Sequence, residues 1–302
     1  MSGDYRKNAG AKTIVKTWST PVRPEEKQLI PCAVCGGMKF KASLSCEGFS
    51  YVRCTACGLV QMNPQPINKK IKLRYNQGEE YLAYELANEE NYLNLQLLAL
   101  EDAGFSGLEQ ELLSGARPRI LDIGCATGSL LSRFRDRGWE TVGVEISGLQ
   151  AEYGRQKRNL DIRGLSLEEN HFPSSSFDVI LASHLIEHLN DPASLAREVY
   201  RILLPGGRFF ITTPNISGFQ ARLFGSRWRS AIFDHLYLFS VKTLSHLIVE
   251  AGFIIEKIAT WGGLAAGTAP LPVKSFFDKA AKHFGFGDVM IIRSVKNHET
   301  KI

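Results

Sequence analysis

Apolar positions along the chain follow two different spacings. From residue 119 onward, short apolar runs alternate with segments whose apolar residues recur every three or four positions. The runs predict strands at 119–123, 141–146, 161–164, 177–183, 207–213, 253–260 and 288–295, with helices between them. Such alternation predicts an α/β fold with a doubly wound parallel sheet. The long connection before the seventh run leaves that strand free to insert antiparallel. Punctuation supports the helices. Asp191-Pro192 supplies an N-cap and a first-position proline, and Pro205-Gly206-Gly207 closes that segment; Ser240 caps another helix that stops at Gly252. Upstream, Glu79 to Leu113 reads as helix in two pieces broken near Gly104 and Gly107, with Leu82, Leu86, Leu93, Leu97 and Leu100 on one face. Tyr75, Tyr81 and Tyr84 at its start read as buried aromatics covering a sheet edge. Residues 1–27 are polar, basic and aperiodic, a mobile tail.

Composition changes this picture little. The 302 residues are 44% hydrophobic and 22% charged, enough for a full core, and a net charge of +5 neither demands nor excludes nucleic acid. No apolar run reaches the roughly 18 residues of a membrane span, and the basic N-terminus lacks the apolar block of a secretory signal. The expected location is therefore cytoplasmic, where thiols stay reduced. Four of the six cysteines fall in two matched pairs, Cys32-Ala-Val-Cys35-Gly36 and Cys54-Thr-Ala-Cys57-Gly58, with 18 residues between Cys35 and Cys54. Two such knuckles at this separation predict a closed, structural four-thiolate zinc site rather than a redox pair. Cys46 and Cys125 read as small buried residues. The organisation expected is a tail at 1–27, a zinc ribbon at 28–64, a helical cap or linker at 65–116, and a catalytic domain at 117–302 with insertions near 215–238 and 262–287.

The first strand of the sheet ends on Gly124, and Ala126, Thr127 and Gly128 then allow a tight turn before a helix starts at Ser129. Small residues there let backbone approach a ligand, and the helix start offers free N–H groups. Glu145, about 20 positions on, is placed to accept hydrogen bonds from two ribose hydroxyls. With Leu121-Asp122-Ile123-Gly124-Cys125-Ala126-Thr127-Gly128, Glu145, Phe172-Pro173-Ser174-Ser175-Ser176-Phe177-Asp178-Val179-Ile180 and Leu204-Pro205-Gly206-Gly207-Arg208-Phe209 in that order, residues 118–296 resemble a class I S-adenosylmethionine-dependent methyltransferase. Together with the paired cysteines and His235-Leu236-Tyr237-Leu238-Phe239-Ser240, the chain is similar to bacterial zinc-ribbon methyltransferases of sugar, polysaccharide and secondary metabolism. The resemblance implies a seven-stranded Rossmann-like sheet with its last strand antiparallel. It assigns Asp122, Gly124, Cys125, Ala126 and Gly128 to the cofactor's methionine part and Glu145 to its ribose. Ile146, Ser166 and Leu167 would flank the adenine, and Ser183 with His184 would lie beside the donor. Ala126 departs from the family, which commonly has glycine there.

Methyl transfer from a sulfonium needs alignment, exclusion of water and, for a hydroxyl acceptor, a base. Within Ser183-His184-Leu185-Ile186-Glu187-His188, His188 is a candidate base with Glu187 to orient or charge it; His235 is the other candidate. An alternative is a divalent-cation site from His184, Glu187 and His188, as in related quinone O-methyltransferases. Two aromatic, basic stretches, 219–232 (with Arg222, Arg227 and Arg229) and 272–286 (with Lys274, Lys279 and Lys282), read either as ordinary helices packed on the core with solvated charges or as a cover over an anionic or amphiphilic acceptor, with 272–286 then touching a membrane surface peripherally. The reading is methyl transfer, at oxygen, to a small-molecule or glycan-linked acceptor. An RNA base methyltransferase is the rival enzyme, against which the mild charge and the absence of a base-methylation motif count. A non-catalytic cofactor-binding module is the rival of another class.

Overall fold

The computed structural model describes residues 27–66, 78–263 and 271–297. The expected tail other than Lys27, Tyr75 and positions 264–270 of the second insertion lie outside the described residues.

The N-terminal module begins with β1 (Lys27–Gln28), then β2 (Phe40–Cys46), β3 (Phe49–Cys54) and β4 (Val60–Met62) in an antiparallel meander, and closes with β5 (Gln65–Pro66) paired back to β1. Two helices follow, α1 (Glu79–Asp102) and α2 (Phe105–Leu113). The break falls at Gly104, where φ is +78°; Gly107, the other expected breaker, sits inside α2. Of the leucine face, Leu93 and Leu100 are buried. Tyr81 and Tyr84 are not, being 39% and 52% exposed, so they do not seal a sheet edge.

The main domain then alternates as expected: β6 (Arg119–Ile123), α3 (Ser129–Asp136), β7 (Glu140–Val144), α4 (Gly148–Arg158), β8 (Asp161–Arg163), β9 (Phe177–Ser183), α5 (Pro192–Ile202), β10 (Leu203–Pro214), α6 (Phe219–Phe224), β11 (Tyr237–Leu238), α7 (Val241–Glu250), β12 (Phe253–Trp261), α8 (Leu271–Phe284) and β13 (Val289–Lys296). Seven strands form one sheet in the order β12-β13-β10-β9-β6-β7-β8, and β13 runs antiparallel to both of its neighbours. Asp191 accepts from Ser194 N to start α5, and Ser240 and Thr243 form a reciprocal capping box on α7. One boundary differs from the reading of the sequence. β10 begins at Leu203, so Pro205-Gly206-Gly207 is an irregular stretch inside the strand, with the register against β9 shifting between Leu203 and Arg208.

Adjacent apolar residues on the central strands go to opposite faces, which is why those strands read as unbroken apolar runs. Leu121, Ile123, Ile180, Ala182, Phe209 and Ile211 face one cluster; Ile120, Val179, Leu181 and Phe210 face the other with α1 and α2. The first cluster continues into Tyr51, Leu59, Val60 and Met62 of the cysteine module. That continuity has a backbone counterpart: β11, from the first insertion, pairs with β4 and completes a four-stranded sheet, β11-β4-β3-β2.

Candidate active site

The loops at the C-terminal ends of β6, β7, β9 and β10 converge, the usual ligand side of an open α/β sheet. β6 delivers the 124–128 turn. Gly128 opens α3 with φ +78°, and a Cβ there would come within 2.6 Å of Leu160 Cδ1, so the position takes only glycine. Ala126 also has positive φ, +49°. An alanine in this region is strained by about 1–2 kcal/mol, the physical reason a glycine suits the site; the Ala126 N–H donates to Glu145 Oε2 at 3.0 Å. Ser147 N donates to Glu145 Oε1 at 2.7 Å, so two backbone donors fix the carboxylate while leaving it lone pairs for ribose hydroxyls. Cys125 is buried, and its Sγ lies 2.6 Å from where a Cβ on Gly143 would be, so its side chain packs beneath the turn.

Acid crowds this end. Burial, then the charge of Glu145, push Asp122 up to about 7, and burial raises Glu145 itself. Helix α1 adds two acids that reading its leucines alone passes over. Glu85 accepts from Gln150 Nε2, and burial chiefly, with Glu145 adding, pushes it up to about 7. Glu89 accepts from Thr127 Oγ1 at 2.5 Å and pairs with Arg158 at 2.6 Å. Their four-residue spacing on one helix was the available signal. Ile146 is 41% exposed, whereas Leu167 is buried. Ser166 caps a short turn, its Oγ accepting from Glu169 N at 3.3 Å.

The end expected to take the acceptor forms after β9. Ser183 lies opposite Thr212 on β10; His184 takes φ +52°, donates its N–H to Thr212 O, and is exposed. A 3₁₀ turn at Ile186–His188 then buries Glu187, whose Oε2 accepts from Thr213 Oγ1 at 2.9 Å. Glu187 Oε1 is buried with no hydrogen bond; His184 Nδ1 stands 3.4 Å away, an ion-pair distance only. His188 and His235 meet edge to face with ring centres 4.7 Å apart. Each Nδ1 sits on a backbone carbonyl, Asp234 O at 2.9 Å for His188 and Ser230 O at 2.8 Å for His235. A carbonyl only accepts, so both Nδ1 atoms carry hydrogen, and whenever either ring is neutral its lone pair falls on Nε2.

Burial opposes ionisation of Glu187, but His184, His188 and His235 together hold it down, to about 2. Burial, reinforced by His188, holds His235 down to about 3, so that ring stays neutral. The structure thus brings His235, offered by the sequence as a separate candidate, up to the pair Glu187 and His188. Their ligating atoms lie within 4.8 Å of one another, a set able to hold a divalent cation; His184 is outside it. The basic insertions are partly committed elsewhere: Arg229 pairs at 2.6 Å with fully buried Asp288, and Lys274 pairs with Asp278 at 2.5 Å.

Cys32, Cys35, Cys54 and Cys57 bring four Sγ atoms within 4.8 Å of one another, with 3.4 Å between Cys32 and Cys57 and 3.6 Å between Cys35 and Cys54. Tetrahedral zinc–thiolate bonds of about 2.3 Å need spacings near these. Gly36 and Gly58 turn at φ +68° and +89°, their N–H groups bonded to Cys32 O and Cys54 O, the geometry of two matched knuckles. The donor set and spacing fit a metal.

Comparison with known proteins agrees with this geometry. Residues 93–258, over half of the chain, match the family described as "Methyltransferase domain". A protein of Mycolicibacterium smegmatis named "Probable S-adenosylmethionine-dependent methyltransferase" is 31% identical over 45% of this chain and 52% of its own length. A "Ubiquinone biosynthesis O-methyltransferase" of Bradyrhizobium is 33% identical over 40% of this chain and 51% of its own. The chain spans about half the length of these relatives. A "SAM dependent methyltransferase" structure from Archaeoglobus fulgidus shares the fold, with a TM-score of 0.50 at 20% identity over 70% of this chain and 99% of that one. Among the described residues, no helix is long and apolar enough to cross a membrane.

Proposed function

The chain belongs to the S-adenosylmethionine-dependent methyltransferases, and on that premise we propose that it methylates an oxygen of a small-molecule or glycan-linked acceptor with His188 as general base. The observation that carries this is the fixed tautomer of His188. Its Nδ1–H is held by Asp234 O, its Nε2 lone pair is available, and the buried charge of Glu187 lies beside it. Glu145 would hold the donor's ribose, the 124–128 turn its methionine part, and Ile146 with Leu167 its adenine. As the acceptor oxygen takes the methyl group and the donor leaves as the neutral thioether, His188 Nε2 takes the hydroxyl proton, and Glu187 stabilises the imidazolium. His235, held down by burial, stays neutral. The O-methyltransferase named among the relatives supports oxygen as the accepting atom. We assign structural zinc to the four cysteines; a closed set of four thiolates leaves no open position for chemistry. Exposed Val273 and Phe284 favour a peripheral lipid contact for 272–286, and hence an amphiphilic acceptor.

A second reading has its own observation. The unbonded Glu187 Oε1, with a ring nitrogen each of His188 and His235 in the same group, would suit a divalent cation, in which case His188 is a ligand and takes no proton. The deciding experiment is transfer of labelled methyl from S-adenosylmethionine into host extract, sorted into RNA, protein, lipid, glycan and small-molecule fractions, with and without a chelator too weak to strip a four-thiolate site. Label in glycan, lipid or small molecules, insensitive to chelator and reduced about 10²–10³-fold by His188→Ala, is expected. Label confined to RNA would overturn the acceptor class, and loss on chelation would favour the cation.

A further inference from the structure

Tyr51 belongs to the cysteine module, yet its hydroxyl reaches the main domain. It lies 2.7 Å from Ile232 O and 2.8 Å from His235 O, with the ring 1% exposed. The hydroxyl has a single proton for two carbonyl acceptors, so it clamps both ends of one turn. That turn is closed by His235 N donating to Ile232 O, and it also contains Asp234, whose carbonyl fixes the tautomer of His188. The next residue is held from both sides: Leu236 N donates to Glu187 O at 2.7 Å, and Leu236 O accepts from Met62 N of β4 at 2.8 Å. Both Nδ1 hydrogen bonds of the two imidazoles therefore end on carbonyls within residues 230–234, and the module grips the segment 232–238 through Tyr51, Met62 and the β4–β11 pairing. Phe49 packs edge to face on both Tyr51 and Phe233, filling the space beneath the clamp. None of these contacts touches the cofactor turn or Glu145.

We propose that Tyr51 is a positioning residue for the histidine pair, holding the 232–235 turn whose Asp234 carbonyl orients His188 and whose last residue is His235 itself. The cysteine module is then a wall of the acceptor site. The proposal rests on the reading of His188 as base. Tyr51→Phe keeps the ring and removes only the oxygen, so the packing against Phe49 survives.

The test measures three things on the full chain with S-adenosylhomocysteine bound or S-adenosylmethionine supplied: donor affinity, kcat with its pH profile on an acceptor found by the labelling experiment, and histidine ¹⁵N chemical shifts, which report tautomer without turnover. Expected in Tyr51→Phe are unchanged donor affinity, a kcat reduced about tenfold with a displaced acid limb, and ¹⁵N shifts of His188 and His235 moved toward a tautomer mixture. Unchanged histidine shifts would overturn the proposal whatever happens to kcat. So would a loss of donor affinity equal to the loss of kcat, the mark of general destabilisation. If the shifts move while His188→Ala leaves turnover intact, the positioning stands and the reading of His188 as base falls.

Discussion

The two ends of the active-site crevice treat charge in opposite ways. At the donor end Asp122, Glu145 and Glu85 crowd together, and burial raises all three carboxyls. At the acceptor end a carboxylate buried still more completely is held down, to about 2, because His184, His188 and His235 surround it. Asp122 and Glu187 are both buried, yet desolvation prevails at Asp122 and is outweighed at Glu187 by the histidines around it. The difference has a chemical sense. An end with more carboxyls than the single Arg158 can pair suits a donor that brings its own positive charge, a sulfonium and an ammonium. A carboxylate ringed by imidazoles is arranged to stabilise a proton arriving on one of them.

Removing the donor-end carboxylate should have the largest effect. Glu145→Ala deletes the proposed acceptor for two ribose hydroxyls and strands the N–H groups of Ala126 and Ser147. Charge-assisted hydrogen bonds are worth about 1.5–3 kcal/mol each, so affinity for S-adenosylmethionine by calorimetry should fall at least about 100-fold, while His188→Ala leaves it unchanged. Equal losses in the two variants would erase the division of labour.

How far this division could be read in the sequence differs between the ends. The donor end is local: strand, turn, helix and the acid after the next strand follow one another within 30 residues, and apolar periodicity placed the strands to within a few positions. The acceptor end is assembled from distant pieces. His188 and His235 are 47 positions apart, and the carbonyls that set their tautomers leave no mark on residue type. Tyr51 was invisible for the same reason: nothing in Phe49–Cys54 announces that its middle tyrosine reaches across to residue 235. The tyrosines of α1 misled because an aromatic at a helix start reads the same whether it is covered or bare. The polar face of that helix, Glu85 and Glu89, was overlooked because periodicity directs attention to the leucines.

A smaller effect is expected from Glu187→Gln, which keeps the shape and the bond from Thr213 but removes the charge beside His188. Imidazolium is then less stabilised, so kcat should fall roughly 10–100-fold. The acid limb of its pH profile should move to lower pH, with KM for the donor unaltered. A limb that stays in place would mean that Glu187 shapes the site without charging it, and the contrast between the two ends would lose its chemical meaning.

The most delicate test uses stability against pH, where the two ends should carry opposite signs. His235 is held at about 3 in the folded protein against 6.5 when unfolded. As pH falls below 6.5 the unfolded chain takes up a proton that the folded chain refuses, so stability is lost on the way down to about 3. Glu187 acts in the same direction lower in the scale: it contributes above 4.5, and that contribution disappears as pH falls toward about 2. Asp122 works the other way, because its folded pKa of about 7 exceeds the unfolded 3.8. Between those values the unfolded chain gives up a proton that the folded chain keeps, and stability falls as pH rises. One proton corresponds to a slope of at most about 1.4 kcal/mol per pH unit. Denaturant titrations of His235→Asn should therefore gain on the wild type as pH drops from 6.5 toward 4.5, and those of Asp122→Asn should gain as pH climbs from 4 to 7. The difference curves should cross the same window with opposite slopes; parallel curves would show that the contrast in charge between the two ends does not extend to folding.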